Sequence, residues 1–202
     1  RLSKDSQLVM IHDDSVDRTT GEKGKINTFT AAELQQMDAR QSGVPWPSDK
    51  DTGVVTLEAM LEATPEIEGY QLEVKTGTTA QMEETAELLA QKFPTESSVE
   101  RIVITSSSLT LLQRLMTLAP HIPRGYISIN PNPFPVVDRF KCSLVALNWS
   151  VCNLLNIGHA RRKGLHVSVW TVNDASVIKN LHRSKVDSVI TDYPSMALPL
   201  IA

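Results

Sequence analysis

The sequence predicts an α/β fold of repeating βα units: a (βα)8 barrel of the TIM type that holds too few strands to close. Three observations carry this reading. Six short runs rich in Val, Ile and Leu succeed one another from residue 70, separated by segments with helical periodicity. Successive runs begin about 20 to 30 residues apart, the span of one βα unit. The runs also end repeatedly in polar residues, as at the C-terminal strand ends of a barrel, where active sites gather. An open doubly wound sheet is the alternative, but it concentrates function at one switch point rather than at six strand ends.

Taken in order, residues 1–12 suggest a hairpin: RLS, a polar KDS turn, then QLVMIH. Residues from about 13 to 55 are rich in Gly, Thr, Asp and Pro. Within them Thr30 and Glu33 make a capping box, which starts a short helix with Leu34 and Met37 on its buried side. VPWPSDKDTG (44–53) cannot continue a helix and is expected to be an exposed loop. TLEAMLEA (56–63) is helical by the spacing of Leu57, Met60 and Leu61.

The first buried strand is YQLEVK (70–75), followed by a helix capped by Thr78 and Gln81. The remaining strands are RIVIT (101–105), IPRGYISI (122–129), SLVALNW (143–149), HVSVWTV (166–172) and VDSVIT (186–191). Near-continuous apolar runs of this kind fit strands covered on both faces in a parallel sheet. The helix over 152–163 should end before Gly164, and Asn173 or Asp174 should cap the helix that runs to about Arg183. The whole chain, 1–202, forms one barrel domain on this reading.

Composition narrows the function classes. The 202 residues are 41% hydrophobic and 21% charged, ordinary for a globular domain. A net charge of −3 gives no pull toward nucleic acid or an anionic membrane. No window approaches 18 consecutive apolar residues, so no membrane span is expected. Two cysteines without metal spacing point to a reducing, cytoplasmic setting. Nothing in the sequence specifies an oligomeric state. No Gly-rich phosphate loop follows any strand, which argues against a nucleotide-binding protein.

Two places concentrate candidate chemistry. LVMIHDDSVDRTT (8–20) ends an apolar run on His12 and two aspartates. The segment is either a strand running into a polar loop or a catalytic base at a barrel rim. In QLEVK, Glu73 and Lys75 point to one side and Leu72 and Val74 to the other. A carboxylate and an ammonium buried together must pair or bind something. Glu73 and Lys75 are therefore either a structural ion pair or a cation-binding carboxylate beside a phosphate-binding lysine. Trp170, at the end of its strand, is a core aromatic or lines the pocket mouth. The histidines at 121, 159, 166 and 182 lie in loops, on helices or at a strand start, where structural roles dominate.

VMIHDDSVDRTTGEKGKI, TLEAMLEA, QLEVK, VSVWTVND and VDSVITDYP, in that order, resemble the glycerophosphodiester phosphodiesterase family over nearly the whole chain. The resemblance implies a (βα)8 TIM barrel, here lacking its first strand or strands and helix, with a small insertion at about 13–55 after the first hairpin, and metal-dependent hydrolysis of a glycerophosphodiester to sn-glycerol 3-phosphate and an alcohol. It implies two histidines as general acid and base and three carboxylates on a divalent cation, Ca²⁺ or Mg²⁺. By this resemblance His12 matches the second catalytic histidine, Glu73 a metal ligand, and Lys75 and Trp170 substrate-binding residues. Arg18, in the RTT motif, is expected to order the insertion loop.

The family's opening HRG motif and its E-x-D pair are absent from these residues. Six strands follow residue 70 where a closed barrel needs eight. These departures lead to the expectation that the chain lacks N-terminal residues and, as written, turns over weakly or not at all. The alternative is a catalytically incomplete barrel that binds a phosphate-containing ligand. A further rival, a lipid-cleaving relative, would need an apolar rim, for which NPNPFP (130–135) is the candidate.

Overall fold

The computed structural model describes residues 1–40 and 52–201. The expected loop at 44–53 falls mostly outside the described residues. The chain divides into two compact units, Arg1–Glu68 and Gly69–Ala202.

In the first unit the expected hairpin is reduced to a single antiparallel bridge, Leu2 with Leu8. The reason is a second partner for the same run. Met10 N–H donates to Val55 O, Leu57 N–H donates to Leu8 O, and Val9 bridges Thr56. Residues 8–10 therefore lie between two short stretches instead of zipping along one. A four-residue helix α1 (Asp17–Thr20) follows and stops at Gly21, whose φ of 74° is the left-handed conformation glycine adopts freely. Helix α2 (Ala31–Gln35) starts at the predicted capping box: Thr30 Oγ accepts from Glu33 N–H, and Glu33 accepts from Thr30 N–H. Leu34 is buried on Val9, Val16, Ile26 and Val54, and Met37 packs against that cluster. Helix α3 (Leu57–Ala63) is capped by Thr56.

The second unit is the predicted βα alternation. Strands β1 (Tyr70–Glu73), β2 (Ile102–Ser106), β3 (Arg124–Ser128), β4 (Leu144–Asn148), β5 (His166–Trp170) and β6 (Ser188–Val189) form one sheet in sequential order, every pairing parallel. Between and after them run α4 (Thr79–Lys92), α5 (Leu109–Leu118), α6 (Phe134–Arg139), α7 (Leu154–Arg162), α8 (Ala175–Arg183) and α9 (Pro194–Ile201). The caps expected at Thr78 and at Asn173 or Asp174 are present, and Asn153 supplies one that was not anticipated. The capping box of Thr78 and Gln81 opens α4, Asn153 opens α7, and Asp174 opens α8. Gly164, at φ 67°, follows the end of α7.

Val145 and Leu147 of β4 and Val167 and Val169 of β5 pack with Phe134, Val137, Ala160 and Ile178 of the helices. Alternate residues of those strands face away from the helix layer. This inner face is crowded: a Cβ on Gly125 would meet Leu144 Cδ2 at 2.7 Å and Thr105 Cγ2 at 2.9 Å. Gly125→Ala is therefore expected to destabilise the protein by about 1–3 kcal/mol through overpacking. Urea unfolding would measure this as a lower midpoint with an unchanged slope.

Candidate functional site

The first unit holds His12 on an irregular turn, where neighbouring side chains can meet as they cannot on a strand. His12 Nδ1 lies 2.8 Å from Asp13 Oδ1. Arg18 grips the same carboxylate from the other side: Nε donates to Oδ2 at 2.6 Å and Nη2 to Oδ1 at 3.0 Å. Arg1 donates through Nε and Nη2 to the carbonyl of His12, fixing its backbone. The Arg18 hydrogen bonds, and then that of His12, hold the Asp13 carboxyl well below the usual carboxylate range. With Asp13 ionised, Nδ1 carries a proton and donates it to the carboxylate. Nε2 then points away with its side chain 70% exposed.

Arg18, expected to order the insertion loop, grips Asp13 at the start of that stretch. Asp13, whose carboxylate contacts both His12 and Arg18, is a candidate that sequence reasoning passed over. The available signal was the His-Asp adjacency with an arginine five residues on.

The second unit holds the other three candidates, all on the inner face. Gly125, Leu144 and Thr105 share that face by contact. Glu73 stands in register with Thr105, and Trp170 with Asn148, so Glu73 and Trp170 face the same way. Lys75 Nζ lies 2.7 Å from Glu73 Oε1, so the ion pair anticipated as one of two readings is present. Lys75 is 20% exposed and Glu73 40% exposed, which leaves both reachable from solvent. Thr105 Oγ1, beside Glu73 in register, is buried with no hydrogen-bond partner among the described residues.

Trp170 spends its indole N–H on Ala146 O at 3.1 Å, which pins the ring across β4. What it offers a ligand is therefore a ring face rather than a hydrogen bond. A second polar knot joins the ends of β5 and β6. Asn173 donates to Asp192 Oδ2 at 2.7 Å and accepts from Thr191 Oγ and Asp192 N–H. The other histidines are structural where contacts show it. His121 bonds Phe93 O, His159 stacks on Phe134 at 3.9 Å, and His166 bonds Ser188 Oγ.

Ca²⁺ or Mg²⁺ needs six or more oxygens, most of them from several carboxylates, carbonyls and waters. Among the described residues no three of His, Cys, Asp and Glu converge to hold a metal ion. Glu73, already paired with Lys75, and the hydroxyl of Thr105 do not by themselves make a cation site.

Sequentially ordered parallel strands, a helix after each, and polar side chains at the C-terminal strand ends define an α/β barrel protein whose candidate active site lies at those ends. The chain belongs to the glycerophosphoryl diester phosphodiesterase family, which it matches over residues 1–196. YhdW of Bacillus subtilis, assigned to the glycerophosphodiester phosphodiesterases, is 34% identical over 98% of this chain and 82% of its own length. A glycerophosphodiester phosphodiesterase of Caldanaerobacter subterraneus is 28% identical over the full chain and 83% of its length. These relatives are, by name, phosphoric diester hydrolases. A phosphodiesterase of Oleispira antarctica, solved with its product sn-glycerol-3-phosphate, shares the fold with a TM-score of 0.84. That comparison covers 99% of this chain and 81% of the other, at 24% identity. No helix among the described residues is long and apolar enough to cross a membrane.

Because Arg18 is the largest cause of the low Asp13 value, Arg18→Met is expected to move that carboxyl back up toward about 3.9. The sign follows from linkage: a depressed carboxyl stabilises the fold above its ordinary pKa, and that contribution is lost as pH falls. Carbon-detected NMR titration of the Asp13 side chain would show the upward move in the variant. The wild-type carboxyl should stay ionised to lower pH than the variant's.

Proposed function

We propose that this protein hydrolyses glycerophosphodiesters to sn-glycerol 3-phosphate and an alcohol. Family membership and the names of its relatives support the reaction class. The observation that carries the residue assignment is the Arg18–Asp13–His12 relay. An imidazole held at Nδ1 by a fixed carboxylate presents Nε2 for proton transfer, and imidazoles as a class titrate near neutrality. His12 is assigned as general acid or base, and Asp13 as the group that positions it.

In the hydrolysis, water adds to phosphorus and the bond from phosphorus to the alcohol oxygen breaks. One proton leaves the water and one reaches the departing oxygen. Lys75 has three ammonium donors, of which Glu73 takes one, so the others can meet non-bridging phosphate oxygens. The Trp170 ring face packs against the apolar part of the bound diester. Turnover is further proposed to depend on a divalent cation, Ca²⁺ or Mg²⁺, with Glu73 as one of its oxygen donors.

A second reading, a module that binds a phosphate-containing ligand without turning it over, draws support from the Glu73–Lys75 pair and from the absence, among the described residues, of three His, Cys, Asp or Glu side chains converging on a metal site. Release of sn-glycerol 3-phosphate from glycerophosphocholine, with and without chelator, separates the two. The proposal expects chelator-sensitive release that is slow, because the first histidine and the E-x-D carboxylates implied by the resemblance are not among these residues. It expects His12→Asn to lower kcat by about 10²-fold or more, as loss of a proton-transfer group does. Asp13→Asn should lower kcat with KM nearly unchanged, and Lys75→Met should raise KM by about tenfold through a lost charge-assisted bond. No release, together with calorimetric binding of sn-glycerol 3-phosphate that Lys75→Met weakens and His12→Asn does not, would establish the binding module instead.

A further inference from the structure

Two loops at the C-terminal strand ends of the second unit carry side chains that the proposed hydrolysis does not use. After β3 comes Ile129, 73% exposed. After β4 comes Trp149, 50% exposed, and the first turn of α7 presents Leu154 at 73% and Leu155 at 84% exposure. Strands β3 and β4 are interior to the sheet, with a hydrogen-bonded neighbour on each side, so this exposure does not come from a sheet edge. Buried Asn156 ties the two loops together: its amide donates to Pro131 O at 2.9 Å and to Val151 O at 3.0 Å. The loop carrying Ile129 is therefore braced against the β4–α7 connection and helix start that carry Trp149, Leu154 and Leu155, on the same end of the sheet as Glu73 and Trp170.

The chemistry of this surface selects its partner. Neither 125–137 nor 142–158 contains Asp, Glu, Lys, Arg or His, in a chain that is 21% charged. An anionic surface would need basic residues here, and none is present. The exposed groups are Ile and Trp in the loops and two Leu at the start of α7, interspersed with Asn130, Asn132, Ser150 and Asn153, which suit the depth between acyl chains and headgroups. Side chains this fully solvated project outward rather than line a groove, which favours insertion into a soft apolar layer over docking of a shaped protein surface.

We propose that Ile129, Trp149, Leu154 and Leu155 form a docking surface for a zwitterionic phospholipid layer, bringing the candidate site's face against lipid. This goes beyond the hydrolysis proposed above, and its test reads binding alone, so either idea can fail without the other.

The test is sedimentation of the full chain with phosphatidylcholine vesicles, for wild type and for Leu154→Ser/Leu155→Ser. Both positions are exposed, so the double variant should keep the wild-type melting temperature, and circular dichroism checks this. The expected result is wild-type binding that persists in about 0.5 M NaCl, where exposed charge attraction is screened. The double variant should bind more than about tenfold less, as loss of two inserted leucines implies. If the double variant fails to fold, Ile129→Asn alone is expected to weaken binding in the same direction. The proposal is overturned if the wild type does not bind, or if the leucine variants bind equally well. It is also overturned by binding that requires anionic lipid and vanishes in salt. A wild-type dimer that the double variant converts to monomer would show that a second copy covers this surface instead.

Discussion

A single carboxylate organises the chemistry of the first unit. Asp13 accepts from Arg18 through both oxygens and faces the His12 ring through one of them. Bidentate, charge-assisted bonds are the strongest and most directional available to a surface group. Without Arg18, an exposed aspartate would sample several rotamers, and the imidazole beside it would lose its fixed orientation. Arg1 adds a restraint by holding the His12 carbonyl, so both the backbone and the ring of His12 are tied. The exposed edge of the imidazole is a consequence of these restraints. A protonated Nδ1 turned inward leaves Nε2 as the available nitrogen.

The second unit reaches its polar face by a different route. A parallel sheet covered by helices on one side uses every other residue for packing and frees the rest. Val145, Leu147, Val167 and Val169 take the packing role. Glu73, Thr105, Asn148 and Trp170 occupy the alternate positions by register. Glu73 and Lys75 then meet because two residues along a strand restore the same side. The pair tempers the charge of each partner and keeps both near water, the condition under which a lysine can still exchange a carboxylate for a phosphate oxygen.

Much of this was legible in the sequence, and the exceptions share a cause. All six strands, the caps at Thr30, Thr78 and Asp174, and the stop at Gly164 depend on local pattern, and they occur where pattern placed them. The hairpin at 1–12 was overestimated because residues 8–10 find a partner at 55–57, far along the chain. The clasp of Asn173 on Asp192 and the capture of the Trp170 indole by Ala146 were illegible for the same reason. Asp13 is a different case. Adjacent side chains on a strand diverge, so reading His12 as a strand end hid the contact that an irregular turn permits. The Glu73–Lys75 pair was visible as a possibility, but whether it was made depended on side-chain geometry.

The role assigned to Asp13 can be tested without turnover, from the tautomer of its neighbour. Nitrogen-15 NMR of selectively labelled protein, at a pH where imidazoles are neutral, distinguishes the protonated ring nitrogen from the bare one. The account predicts that His12 carries its hydrogen on Nδ1 in the wild type and loses that preference in Asp13→Asn. A wild-type His12 with the hydrogen on Nε2, or a tautomer indifferent to Asp13, would contradict it.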